Sequence, residues 1–455
     1  MAVGRGAADL DLDLEEAKAI VSEGTPKELV EGKKVLALTP DATRTCPLPR
    51  LITAVKEVVG SRAARLDFMV ALGSHHPLDE RRIMKLYGVD PQRRAREFAD
   101  NRFLNHRWDL QDTLVKIGTI SEQEIEEISG GLFREAVDVD INRAIFDYDL
   151  ILILGPVFPH EVVGISGGYK YLFPGISGGD FLHFFHWLGA VITSWEVIGK
   201  KNTPVRDVVN RAARMVQVPT HCICMVVGHP QGSDGYPDGD PRAGAELSAG
   251  SDRSEAAGGR GASRHSGTLA GLFVGTAEEA WSRAADLAME MHIVYKDRPY
   301  HLVVGKAPEM YDELWVGGKV MYKLEPVVAE GGRLIIYAPH LKEVSSTWGH
   351  YLKRIGYHVR DYFLSQMERF SDVPRGVLAH STHVKGLGSF ENGVEKPRIE
   401  VVLATSIPER LCRRINLGYL DPASLRLEEY RGREREGVLV VEQAGEVLHR
   451  LKSED

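Results

Sequence analysis

Short apolar runs recur along the chain, each closed by a turn rich in Pro, Gly or His and most followed by a stretch of helical spacing. Residues 34–39, 66–72, 116–120, 150–154 and 222–227 read as strands in the first part, and 301–305, 333–338, 399–405 and 437–443 in the last. The run 150–154 has no polar alternation, which is the signature of a parallel strand covered on both faces. Helical spacing falls at 51–59, 203–216, 276–292 and 314–328. Strand and helix alternating in this way predict an α/β fold: two α/β domains with mainly parallel sheets and a cleft between them. The first spans 1–292 and the second 293–425. Residues 426–455 form a C-terminal tail expected to pack back on the first. Small-ligand sites favour such clefts.

Composition changes this picture at one place. Residues 229–267 are Gly, Ser, Asp, Ala and Arg with almost no large apolar side chains, so they read as a flexible insertion outside the core. Elsewhere, 43% hydrophobic and 26% charged residues describe an ordinary globular chain, and 455 residues are enough for more than one core. A formal net charge of -8 argues against nucleic acid as the partner. The Arg-rich runs at 92–96 and 431–435 stand beside acidic residues and read as solvated faces. Four cysteines without framework spacing fit a reducing compartment, and Cys222 and Cys224, in an apolar run, read as a buried pair. The N-terminus has no basic-then-apolar leader, and no apolar run is long enough to span a bilayer. A cytoplasmic protein with no membrane partner is expected.

The candidate chemistry gathers after the predicted strand ends. Asp41-Ala42-Thr43-Arg44 follows the first strand: an Arg that can grip a carboxylate, and an Asp that can orient it or cap the next helix. Gly73-Ser74-His75-His76-Pro77 follows the second. Past the third, Pro159-His160 leads into Gly164-Ile165-Ser166-Gly167-Gly168 and Lys170, and Gly-Ile-Ser-Gly-Gly returns at 175–179 before His183 and His186. Dense glycines let backbone amides converge on an anion. The pattern is neither a Walker loop nor a dinucleotide fingerprint. Two histidines on separate loops suit acid/base work on both faces of a stereocentre, and a transition metal such as nickel or zinc would take imidazole.

These motifs resemble the lactate racemase family, the nickel-pincer-nucleotide-dependent 2-hydroxyacid racemases and epimerases. The resemblance rests on Asp41-x-Thr43-Arg44, Gly73-Ser74-His75-His76-Pro77, His160 through Gly164-x-Ser166-Gly167-Gly168-x-Lys170, Pro174-Gly175 and His186, with Lys319 and Gly331-Gly332 further on. It implies a pyridinium nucleotide carrying nickel in a sulfur pincer, joined to Lys170 through a thioamide, with His186 rather than His183 completing the metal coordination. It implies that His75 and His160 exchange the substrate hydroxyl proton while the α-hydrogen leaves as a hydride to the pyridinium. Arg44 and Lys319 would hold the substrate. Asp41, Thr43 and the glycine loop Gly164, Ser166, Gly167 and Gly168 would position Arg44 and the nucleotide.

Two positions depart from the family's lactate-acting members, which usually carry Arg where this chain has His76 and Gln where it has Val316. The expectation is therefore a racemase or epimerase of a 2-hydroxy acid other than lactate, supplied with its cofactor by the cofactor-biosynthesis proteins. The alternative is a cofactor-binding or carrier protein of the same family without turnover.

Overall fold

The computed structural model describes residues 1–42, 46–73, 75–228 and 267–452. Thr43 and Arg44, and the insertion up to residue 266, lie outside the described residues.

The run at 150–154 becomes the strand Leu150–Pro156, buried along its whole length. Its period-two alternation divides the first core. Ile151 and Ile153 join the helices Gly179–Ile192 and Ala277–His292 on one face. Leu150, Leu152 and Leu154 join the helices Leu14–Gly24 and Leu48–Val58 on the other. Around this strand stands a seven-stranded sheet in the order Val3–Gly6, Thr268–Gly275, Thr220–Gly228, Leu150–Pro156, Lys34–Thr39, Arg65–Val70, Phe103–Asn105. The last five are mutually parallel, and the first two add antiparallel at one edge. A second, wholly parallel sheet of five runs Gly418–Leu420, Glu400–Thr405, Val328–Ala338, Tyr300–Lys306, Val438–Val441. The α/β class and the mainly parallel sheets are as expected from the strand pattern.

Helix Gly179–Ile192 belongs to both halves. Phe181, Phe184, Phe185 and Leu188 pack into the first core, while Trp187, Ala190 and Val191 pack into the second. It lies against helix Arg375–Lys385 of the second half. Further fasteners cross between the halves: Arg375 pairs with Glu135 at 2.6 Å, Arg360 donates to the Val191 carbonyl at 2.8 Å, and His76 and Thr347 share a hydrogen bond of 3.1 Å.

Three readings are corrected. The segment after 425 is no tail: Val438–Val441 is the fifth strand of the second sheet, and Leu439 and Val441 are core there. Only the end of the chain touches the first half, through Arg450 on the Ile198 carbonyl, while Leu448–Leu451 pairs with Ile293–Lys296. The strand Thr268–Gly275 went unread because it starts where the low-complexity segment stops. Leu114–Ile120 stands apart from the main sheet, in an antiparallel pair with Val137–Asn142. Cys222 and Cys224 are buried and adjacent in the core, as their apolar run implied, and burial pushes the Cys222 thiol up.

Candidate active site

Parallel strands send their following loops to one end of a sheet, and ligands bind there. After Lys34–Thr39 comes Asp41, after Arg65–Val70 comes His75, and after Leu150–Pro156 come His160 and the glycine loop. All of them face residues of the second half across a cavity of about 200 Å³.

His75 Nδ1 hydrogen bonds the Asp41 carboxylate. Asp41 is nearly buried, and His75 is 44% exposed at the mouth. A carboxylate on Nδ1 fixes the tautomer and leaves the Nε2 lone pair available as a base. His160 is almost fully buried, and its Nδ1 accepts the Val162 amide at 3.1 Å. The neutral ring therefore carries its proton on Nε2, where it is a donor.

The glycine loop is braced from behind. Arg206, 3% exposed, donates to the carbonyls of Ile165 and Gly167 and lies over the Trp281 ring, whose Nε1 donates to the Ser166 carbonyl at 2.7 Å. Three successive carbonyls are thus tied to the side away from the cavity. Gly167 takes φ 83°, and a Cβ there would come within 2.7 Å of Val157. Burial pulls the Arg206 guanidinium down to about 9, which leaves it charged at neutral pH.

Lys170 stands on the 3-10 turn Gly168–Tyr171, half-buried, with Nζ 6.0 Å from the Phe185 ring centre. His186 Nδ1 donates to the Leu182 carbonyl at 2.7 Å, so its lone pair is on Nε2. Burial pushes its pKa down to about 4, leaving a neutral imidazole, the form that binds metals. Lys319 opens the helix Lys319–Leu324, with Nζ 4.8 Å from the Tyr311 ring centre.

Of the residues singled out from sequence, Asp41, His75, His160, Ser166, Gly167, Lys170, His183, His186 and Lys319 line the cavity. Gly164 and Gly168 do not: a Cβ on Gly164 would meet the Lys200 carbonyl, and one on Gly168 would meet Trp281, so both serve close packing of the loop. Sequence reasoning missed Glu161, Tyr171, Trp315, Trp348, His380 and His383, which also line it. Glu161 and Tyr171 adjoin His160 and Lys170 and were open to notice; Trp315, His380 and His383 stand on helices, and Trp348 on a turn, that carry no local motif.

Among the described residues no three His, Cys, Asp or Glu gather closely enough to hold a metal on their own. Among the described residues, none joins His186 in such a set, so a metal there would draw its other ligands from elsewhere. A covalently held, metal-bearing nucleotide meets that need. The residues present fit it: an amine in Lys170, one neutral imidazole in His186, and on the same cavity a braced loop with no side chain at Gly167.

Two parallel α/β units enclosing a histidine- and lysine-lined cleft define an α/β protein with an interdomain small-ligand site. Residues 16–197 match the family model for the lactate racemase N-terminal domain. It is 27% identical over 156 residues to the lactate racemase of Thermoanaerobacterium thermosaccharolyticum and 28% identical over 156 residues to that of Lactiplantibacillus plantarum. Each match covers 33% of this chain and 32% of the relative, so it spans about a third of those enzymes. Over its whole length the chain resembles the crystal structure of a Thermotoga maritima protein, with TM-score 0.81, 27% identity, and coverage of 98% of this chain and 100% of that one. It shares its fold with the lactate racemase apoprotein of T. thermosaccharolyticum, with TM-score 0.68, 17% identity, and coverage of 98% and 94%.

Proposed function

We propose that this chain is a racemase or epimerase of a 2-hydroxy acid other than lactate, working with a nickel-pincer nucleotide attached to Lys170 and coordinated by His186. The observation that carries the reading is one cavity bordered by the Asp41–His75 pair, His160, Lys170 and His186. The lactate racemase relatives support the reaction type.

When bound, the cofactor supplies the hydride acceptor. The chain handles the proton and the oxygen. A hydride leaves a carbinol readily only if the hydroxyl proton departs with it. His75, with Asp41 behind it to stabilise the imidazolium, takes that proton on Nε2. His160 donates from Nε2 to the same oxygen as it becomes a carbonyl, and it exchanges a proton itself when its ring gives up the Val162 amide. Lys319, with Arg44, holds the carboxylate, so the substrate carbon keeps its place while its configuration inverts. The braced glycine loop receives the nucleotide phosphate on its amides. Loading requires cofactor-biosynthesis proteins as partners, in the cytoplasm. Neither nucleic acid nor a membrane takes part in this reading, and among the described residues no helix is long and apolar enough to cross a membrane.

The test is to purify the protein from cells that also express the cofactor's biosynthetic enzymes, then measure intact mass, nickel content and racemisation of a panel of 2-hydroxy acids. A nucleotide-sized mass increment lost in Lys170→Ala, with nickel and turnover, is expected. Unmodified mass without nickel would sink the mechanism.

A further inference from the structure

A second cavity, of about 40 Å³, lies at the C-terminal end of the shared helix and has only His383 in common with the active-site cleft. From the first half it is lined by Thr193 and Ser194, where helix Gly179–Ile192 ends; from the second, by Arg360, Thr382 and the turn 386–388. Thr193 is the unusual residue. It takes φ 90° and ψ 143°, a backbone region open to glycine and costly for a side chain branched at Cβ. The other non-glycine residues of positive φ among those described, Asn392 and Asn416, stand at φ 53° and 62°, in the left-handed well that asparagine tolerates. Glycine would suit the backbone at 193 better, so the threonine side chain needs a reason.

Local structure does not supply one. The Thr193 hydroxyl caps no helix, and among the described residues neither it nor the Ser194 hydroxyl makes a hydrogen bond. Ser194 is only 6% exposed, so its hydroxyl has little water to turn to. In the second half Arg360 donates from Nη1 to the Val191 carbonyl at 2.8 Å and from Nε to Asp361 at 2.9 Å, while Nη2 has no partner among the described residues. Three other donors of the lining are spent within the fold: the Thr382 hydroxyl on the Ala379 carbonyl, the Gly386 amide on the Thr382 carbonyl and the Leu387 amide on Glu325. The cavity thus offers three unspent donors, one of them cationic, and no carboxylate in its walls. Such a set calls for a ligand that accepts hydrogen bonds and carries negative charge. At roughly 10–15 Å³ for each water-sized position, the volume holds about three of them. That suits a carboxylate group or a small inorganic oxyanion and excludes a nucleotide or a sugar.

We infer that Thr193, Ser194 and Arg360 form a binding site for a small oxyanion at the seam between the halves, separate from the active-site cleft and independent of the racemase reading. An oxyanion there is gripped by both halves at once, so its binding adds to the stability of the folded chain. A short carboxylate and inorganic phosphate share the required chemistry.

The experiment is calorimetric titration and thermal melting of the full chain with sodium formate, sodium acetate and sodium phosphate in turn, at an ionic strength held constant with a bulky sulfonate buffer. It is repeated on Thr193→Val, Ser194→Ala and Thr193→Gly. Thr193→Val keeps the shape and removes the hydroxyl. At least one oxyanion should bind the parent and raise its melting temperature, with affinity about 10-fold or more weaker in Thr193→Val and in Ser194→Ala. The tightest binder among the three tells a carboxylate site from a phosphate site. Thr193→Gly, freed of the backbone strain, should melt no lower than the parent without oxyanion and should lose the response to it. Melting temperatures that rise equally in parent and variants, or binding that survives the substitutions, would place the anion on the glycine loop or make it an adventitious ion only, and either overturns the site. A Thr193→Gly chain that melts well below the parent without oxyanion would give the threonine a packing role and overturn it too. None of these readouts uses the cofactor, so the racemase proposal stands or falls apart from them.

Discussion

Asp41 and His75 share one hydrogen bond, and its effect on catalysis depends on a single charge. In the proposed reaction the carboxylate holds Nδ1–H, frees Nε2 to act as the base and steadies the imidazolium. Asp41→Asn keeps the shape and removes the charge. It should lower kcat by about 10²–10⁴-fold with little change in melting temperature, read by racemisation kinetics of the loaded enzyme on its best substrate. An unchanged kcat would remove His75 from the proton path. His106 makes a different point at the same scale. It is fully buried, with Nε2 donating to the Ser177 carbonyl at 3.0 Å and Nδ1 accepting from the Asn142 amide at 3.1 Å. Burial takes its pKa from 6.5 down to about 4. The folded state therefore binds fewer protons than the unfolded state between those values. Its contribution is fully present above pH 6.5 and is lost as pH falls toward 4. The shift amounts to roughly 3 kcal/mol at most. Melting temperature should drop across that window, and His106→Gln should flatten the drop; a parallel curve would show that other histidines dominate it.

At the scale of elements, the glycine loop shows how far sequence alone reaches. The motif from His160 to Lys170 was legible because its residues are neighbours in the chain and its glycines have few other uses. What makes the loop rigid was not legible. Arg206 and Trp281 come from helices roughly 40 and 115 positions further on, and each looks from sequence like an ordinary helix residue. The same distance hid His380 and His383, which lie in a stretch read only as helix and loop. Glycines were read too generously: Gly164 and Gly168 answer to packing, and Gly167 alone of the three borders the cavity. Arg206→Met tests the brace. It strips two buried carbonyls of their donor, at roughly 1–3 kcal/mol each. Thermal melts should show that loss. Cofactor retention, read as the intact mass increment on Lys170, should fall more than overall folding does. Full retention in a destabilised protein would mean the loop needs no bracing.

The whole molecule turns on one shared helix. Gly179–Ile192 sends one set of side chains into the first core and another into the second, and it carries His183 and His186 at the boundary between them. The ion pair and hydrogen bonds that also cross between the halves are partly exposed, and such contacts each contribute little. Coupling between the halves therefore rests on apolar packing, above all on Trp187, 1% exposed and the largest side chain the helix gives to the second core. Two domains joined by a weak polar interface would melt separately, whereas two joined through a common core element should melt together. Differential scanning calorimetry of the native chain should give one transition with a calorimetric enthalpy equal to the van't Hoff value. Trp187→Ala removes a large buried ring at a cost of about 3–5 kcal/mol, and most of that loss falls on the second half. The variant should melt in two steps, the second half first. The helix itself remains anchored to the first core by Phe181, Phe184 and Phe185, so His186 and Lys170 keep their backbone places while the opposite wall is released. A single transition merely shifted to lower temperature would mean that the coupling does not run through this residue.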